Sequence, residues 1–524
     1  MKLRRTLFIV TLVVLTALPG AAQANTSAKP EKKGAKSARV DYLGTLPAPA
    51  AVGANFKRYA DNRTYMFVTA ITGLYVFDVT VAESPRPVAQ LPLAHYQNED
   101  VSIGGNRLLI SGDGTAGLSI LSVIDISNPR LPLVEQVINM QVGDEGHTAT
   151  CIQGCRYAWV AGGASVAVLD LDAPAQLVNP GLIPDVQVQG ATSNVEVGDL
   201  KPVHEFGWST HDVQVDQAGI AWVAGGNGTI GFDVRPHVYP DMSKDDPATP
   251  KNEGLLDPRV MARTGQHATA DSDFATLPGS SGAGDTVNDF IHHNSLRPEA
   301  DEFQSRQSAE LDAPGVRPGE VLLITEEDIW SRDTAVTPAG CESQGSFQTW
   351  QVKQYGPTAP DKGTVVNLDS WTTEFNEVVN GDENPLTGND LVPTNGMCSA
   401  HYFDERRDIV ATSWYNQGLR FLNVSDPRNI KQVAYFAAPG QATWAAYWSP
   451  TAADVVYAID HARGVDVLRF DRRKASEGGG EVALSPLDTA SLLQQSTDAT
   501  TAHPTFGFVC RLSPFGPAPA IGAP

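Results

Sequence analysis

Beyond its N-terminus, this 524-residue chain has no apolar run free of charges that reaches the roughly 20 residues needed to cross a bilayer as a helix. Nor does it hold a long amphipathic helix at 3.6-residue spacing between residues 40 and 471. Helical bundles and helical membrane spans are thereby excluded. Basic residues are also scarce: 38 Lys and Arg stand against 60 Asp and Glu, a formal net charge of −22. So acidic a surface repels nucleic acid and anionic membranes. A Gly-rich phosphate loop, a HExxH helix, a GxSxG elbow and an EF-hand loop are all missing, which removes the reactions those motifs announce.

What is present starts with a secretory signal. Lys2, Arg4 and Arg5 form its charged region, Leu7 to Leu18 its apolar region and Ala22-Gln23-Ala24 its cleavage site. Cleavage there predicts an exported protein starting at Asn25, and loss of three positive charges takes the net charge from −22 to −25. Residues 25–39 read as a flexible leader and 472–524 as a polar, then Pro/Gly/Ala-rich tail. Five Cys in an exported chain suggest disulfides with one thiol left over. Cys151 and Cys155 flank a short turn and are expected to pair. The pairing of Cys341, Cys398 and Cys510 stays open.

From 40 to 471 the chain is strand-like, and one phrase recurs: an apolar run, then Asp or Asn, usually followed within a few residues by Pro. It reads GLYVFDVTVAESPRP (73–87), LSILSVIDISNPRLP (118–132), VAVLDLDAP (166–174), GTIGFDVRP (228–236), GLRFLNVSDP (418–427) and GVDVLRFD (464–471). The closing residues Asp78, Asp125, Asp170, Asp233, Asn423 and Asp471 are 47, 45, 63, 190 and 48 apart. Steps near 45 match a four-stranded propeller blade. The step of 190 hides another unit, with strands at 319–330 and 345–355 and an inner strand near Phe290 to Leu296. The fold class is therefore all-β, a seven-bladed β-propeller over 40–471 with long loop insertions. No outer strand follows Asp471, whereas VDYLGTLPAP (40–49) looks like one, so the N-terminal strand should complete the last blade.

Phrases such as LSVIDISNP, VAVLDLDAP and LRFLNVSDP resemble the LVIVD repeat over about residues 55–471. The resemblance implies an exported β-propeller and carries no catalytic motif. The chain departs from the repeat at Asn423, where Asp is usual, and in the fifth unit, where LLITEED and FQTWQV stand instead.

Histidine marks the inner strands. Four successive units open with GHTATC (His147), THDVQVD (His211), FIHHNSLRP (His292, His293) and SAHYFDERRD (His401). Imidazoles converging on an axis from adjacent blades are what a transition-metal ion needs. His147, His211, His293 and His401 are the candidate ligands, with His292 the alternate to His293, because strand neighbours face opposite ways. Glu99 and Glu326 are candidate carboxylates behind the ligands. Duplication alone would also copy one strand-capping His per repeat. Trp159, Trp222, Trp350, Trp414 and Trp444 read as packing between blades.

Two functions follow. One is an exported binding scaffold for a protein, glycan or small molecule. The other is a metal-dependent, oxidoreductase-like enzyme with one transition-metal ion in the channel.

Overall fold

The computed structural model describes residues 34–93, 99–112, 120–139, 146–162, 166–172, 176–177, 192–193, 196–199, 210–225, 228–234, 255, 258–264, 291–298, 315–316, 319–327, 345–352, 365–373, 399–473 and 481–483. The signal segment, Cys341, Cys398 and Cys510 lie outside them.

Seven antiparallel sheets are arranged as the seven blades of a β-propeller. The first holds Ala51–Arg58, Thr64–Ala70, Gly73–Asp78 and Arg86–Pro92. The fifth is the unit hidden in the long step, Ile291–Leu296, Val321–Glu327, Ser346–Val352 and Val365–Trp371. The seventh has only three strands from the C-terminal part, Thr443–Trp448, Val455–Asp460 and Gly464–Phe470. Its outer strand is Val40–Leu46, which pairs with Gly464–Phe470 in the register Val40 to Phe470 and Leu46 to Val465. The ring is thus closed by the N-terminal strand, as the missing outer strand required.

The apolar–Asp phrase now has a physical reason. Asp78, Asp125, Asp170 and Asn423 each end the third strand of a blade, and each side-chain Oδ1 accepts the backbone N–H two residues on, at Thr80, Ser127, Asp172 and Ser425, over 2.7–3.0 Å. This is an Asx turn, which leads the chain out of the strand. Asn accepts the same bond as Asp, so the departure at Asn423 leaves the turn intact. Because each blade is apolar on both faces, the core is divided among blade pairs. Phe421, Trp448 and Phe470 sit between blades six and seven, and Trp159 and Phe232 between three and four.

Two expectations change at the ends. Ala35–Lys36 is a fifth strand on blade six, paired with Lys431–Ala437, and Ala35 is fully buried. That part of the leader is therefore held by backbone bonds. In the tail, Val482 donates its N–H to the Gln432 carbonyl on the same blade. Cys151 and Cys155 form a disulfide with Cα atoms 4.3 Å apart. Gln153, Gly154 and Cys155 all adopt positive φ in the turn between them.

Two outcomes follow from this construction. Removing residues 34–48 exposes the edge of blade seven and should lower the thermal midpoint more than removing residues 484–524, as calorimetry would show. Replacing Asn423 by Asp should shift stability by less than about 0.5 kcal/mol. Asp125→Ala, which deletes an Asx bond, should cost about 1 kcal/mol in a urea titration.

Candidate metal centre

The inner strands share an irregularity at their channel end. In blades one, four, five and seven, pairing to the next strand skips one residue: between Ala51 and Gly53, Thr210 and Asp212, His292 and Asn294, and Thr443 and Ala445. The extra residues are Val52, His211, His293 and Trp444. A β-bulge re-aims a side chain that regular pleating would send elsewhere. Here it turns His211 and His293 inward. In blades three and six, His147 and His401 occupy the same end of the inner strand, each giving its N–H to a second-strand carbonyl, of Ala161 and Ser413. Glu99 comes from the segment leading into blade two. A Cβ on Gly53 would overlap the Glu99 carbonyl oxygen, so the lack of a side chain there lets this segment close on the ring.

All four imidazoles and Glu99 are fully buried. The rings follow one another round the axis, with centroids 4.5 Å apart for His147–His211, 3.9 Å for His211–His293 and 4.0 Å for His293–His401. Glu99 Oε2 lies 3.2, 3.7, 3.5 and 3.4 Å from Nε2 of His147, His211, His293 and His401. Nε2 of His147 and of His211 are 3.0 Å apart. Donors about 2.1 Å from one ion are about 3.0 Å apart at right angles and about 3.4 Å apart in a tetrahedron, so these spacings suit atoms sharing an ion.

Backbone carbonyls fix two tautomers. His211 Nδ1 meets the His293 carbonyl at 3.0 Å, and His401 Nδ1 meets the Trp444 carbonyl at 2.5 Å. A carbonyl only accepts, so Nδ1 carries the hydrogen in both. Nε2 of each ring then faces the Glu99 carboxylate. Burial, then the neighbouring imidazoles of His293 and His147, holds His211 far below the usual imidazole range. Burial, followed by His401, pushes His293 down to about 3. Burial opposes ionisation of Glu99. The imidazoles of His147 and His401 and bonds from His147 and His293 outweigh it and keep the carboxyl well below its ordinary range.

Not every expected residue reaches the ring. His292 points away: its Nδ1 bonds the Thr229 hydroxyl at 2.9 Å and its ring lies 5.9 Å from that of Trp350. Glu326 accepts from the Ser346 hydroxyl at 2.8 Å. Its neighbour Glu327 is the carboxylate grouped with His293 and His401, 3.9 Å from His293 Nε2, and it accepts the Tyr415 hydroxyl. Glu99 stands among the Nε2 atoms, not behind the rings as expected. Four tryptophans pack between blades, but Trp444 borders the ring and donates to Glu99 Oε1 at 3.3 Å. The strand end Glu326-Glu327 is legible as acidic, but not which of the two faces the ring; sequence reasoning missed the roles of Trp444 and of Tyr402, the latter with its ring 4.6 Å from that of His293. Equivalence to the histidines within the repeat marks Trp444. Nothing in the sequence shows the bulges.

A pocket of about 220 Å³ is lined in part by Asp100, Asn294 and Tyr402, the residues next in sequence to Glu99, His293 and His401. Asp100, Asn294 and Tyr402 form its buried floor, while Asn55, Phe56 and Tyr447 stand at its partly exposed rim.

No family model matches the chain, and no curated protein does either. Among solved structures it is similar to the β-propeller domain of Cps50 (Swd1) from Myceliophteria thermophila, at 10% identity and a TM-score of 0.46, over 82% of this chain and 99% of that one.

His292→Ala removes the Thr229 bond and the Trp350 contact without touching the Glu99 ring. It should lower stability by about 1–3 kcal/mol in a denaturant titration. A variant as stable as the parent would contradict the packing role of His292.

Proposed function

We propose that the protein is an exported, LVIVD-type β-propeller that binds one divalent transition-metal ion between His147, His211, His293, His401 and Glu99. A seven-bladed propeller is consistent with a binding or scaffold role, and the ring supports a metal ion as what is bound. The observation that carries the reading is the gathering of four buried Nε2 atoms within 3.2–3.7 Å of one carboxylate oxygen, Glu99 Oε2, with Nδ1 of His211 and of His401 each tied to a backbone carbonyl. Burying a carboxylate among imidazoles away from water is costly, and a cation bound between them offsets that cost by coordination. Ring N–H groups tied to carbonyls are the support that metal-bound imidazoles have. Imidazoles with one carboxylate suit zinc, copper, iron or nickel. When bound, such an ion supplies Lewis acidity or a redox couple. Export is supported by the N-terminal signal pattern, and the repeat resemblance by the Asx-terminated third strands.

The test is the metal content of untagged protein purified without chelator, with saturable Co²⁺ binding after metal stripping. About one ion per chain is expected, with visible cobalt absorption. His211→Ala should lose most of that binding while circular dichroism keeps the all-β spectrum. No stoichiometric metal and no saturable uptake would leave only the broader scaffold role.

A further inference from the structure

The pocket lined in part by Asp100, Asn294 and Tyr402 holds polar groups that no metal ligand uses. Tyr402, with 1% of its surface exposed, has no hydrogen-bond partner for its hydroxyl, and Asn294, with 4% exposed, has none for Oδ1. Both line the pocket. Beside them stands Asp100, and behind it the fully buried Asp212, whose Oδ2 accepts from the Gln214 amide at 3.1 Å and whose Oδ1 has no partner. The Tyr402 hydroxyl oxygen and Asn294 Oδ1 both accept, and a buried acceptor without a partner is costly and rare, so the pocket favours a donor. None of the described residues lining the pocket is cationic, so an anion finds no partner there. The walls include the aromatic Phe56, Tyr447 and Trp448. A volume of about 220 Å³ exceeds the ~150 Å³ that admits benzene in an engineered core.

We propose that this pocket is a recognition site for a small organic amine, its ammonium group held by Asp100, Asn294 and Tyr402 and its apolar body by the aromatic rim. An ammonium is a pure donor with three hydrogens, which can meet the Asp100 carboxylate, Asn294 Oδ1 and the Tyr402 hydroxyl oxygen. Aromatic faces favour the same charge. The inference stands on the pocket alone and does not require an ion in the ring.

The experiment uses metal-stripped full-length protein and three probes of one shape: benzylamine, benzyl alcohol and benzoate, each titrated by calorimetry. Benzylamine is expected to bind saturably, at least about tenfold tighter than the alcohol, with benzoate not binding, since one buried charged partner is worth that much or more. Asp100→Asn should weaken benzylamine by about tenfold or more and leave the alcohol unchanged. Tyr402→Phe should weaken both by less. Unchanged thermal midpoints and unchanged Co²⁺ uptake in both variants separate loss of the pocket from loss of the ring. Equal affinity for amine and alcohol, preference for benzoate, or no saturable binding of benzylamine at millimolar concentration would overturn the assignment.

Discussion

A buried carboxylate ringed by imidazoles is the interaction on which the centre of this propeller turns. Glu99 is drawn out of water and surrounded by four Nε2 atoms at 3.2–3.7 Å. The carbonyls of His293 and Trp444 hold the ring N–H of His211 and His401 at Nδ1, which turns both Nε2 atoms to the carboxylate. Those carbonyls belong to the inner strand of the following blade. Blade-to-blade contact and ligand orientation are therefore one arrangement, and neither changes without the other.

The bulges give the fold its part in this. A regular inner strand would pair His211 and His293 with the next strand and pleat them with their neighbours. Skipping one residue on the inner strand lets Thr210 and His292 stay in the sheet while the next side chain turns to the axis. The same device in blade seven delivers Trp444, whose indole donates to Glu99 and whose backbone carbonyl fixes His401. Gly53 completes it, since any side chain there would collide with the backbone carrying Glu99.

Much of the architecture was legible because it rests on repetition. The spacing of Asp78, Asp125 and Asp170 measures blades, and the strand missing after Asp471 forces Val40–Leu46 into the last one. The Asx bonds at Asp125 and Asn423 show that the motif is local chemistry, which a sequence displays directly. The site was legible only in outline. His147, His211, His293 and His401 could be chosen by their place in the unit. That Glu99 stands among them, and that Glu327 and not Glu326 faces His293, depends on register and on bulges set by contacts between blades. The pairing of Ala35–Lys36 with blade six was hidden for a related reason: one Ala and one Lys held by backbone bonds leave no hydrophobic pattern.

The central claim is that these five side chains share an ion. X-ray absorption at the K edge of zinc bound to the stripped and reloaded protein reads that directly. The account predicts a first shell of nitrogen and oxygen at about 2.0–2.2 Å with the multiple-scattering pattern of at least three imidazoles, reduced by one imidazole in His211→Ala. A shell of water oxygens alone, sulfur scattering from Cys341, Cys398 or Cys510, or a spectrum unchanged by His211→Ala would contradict it.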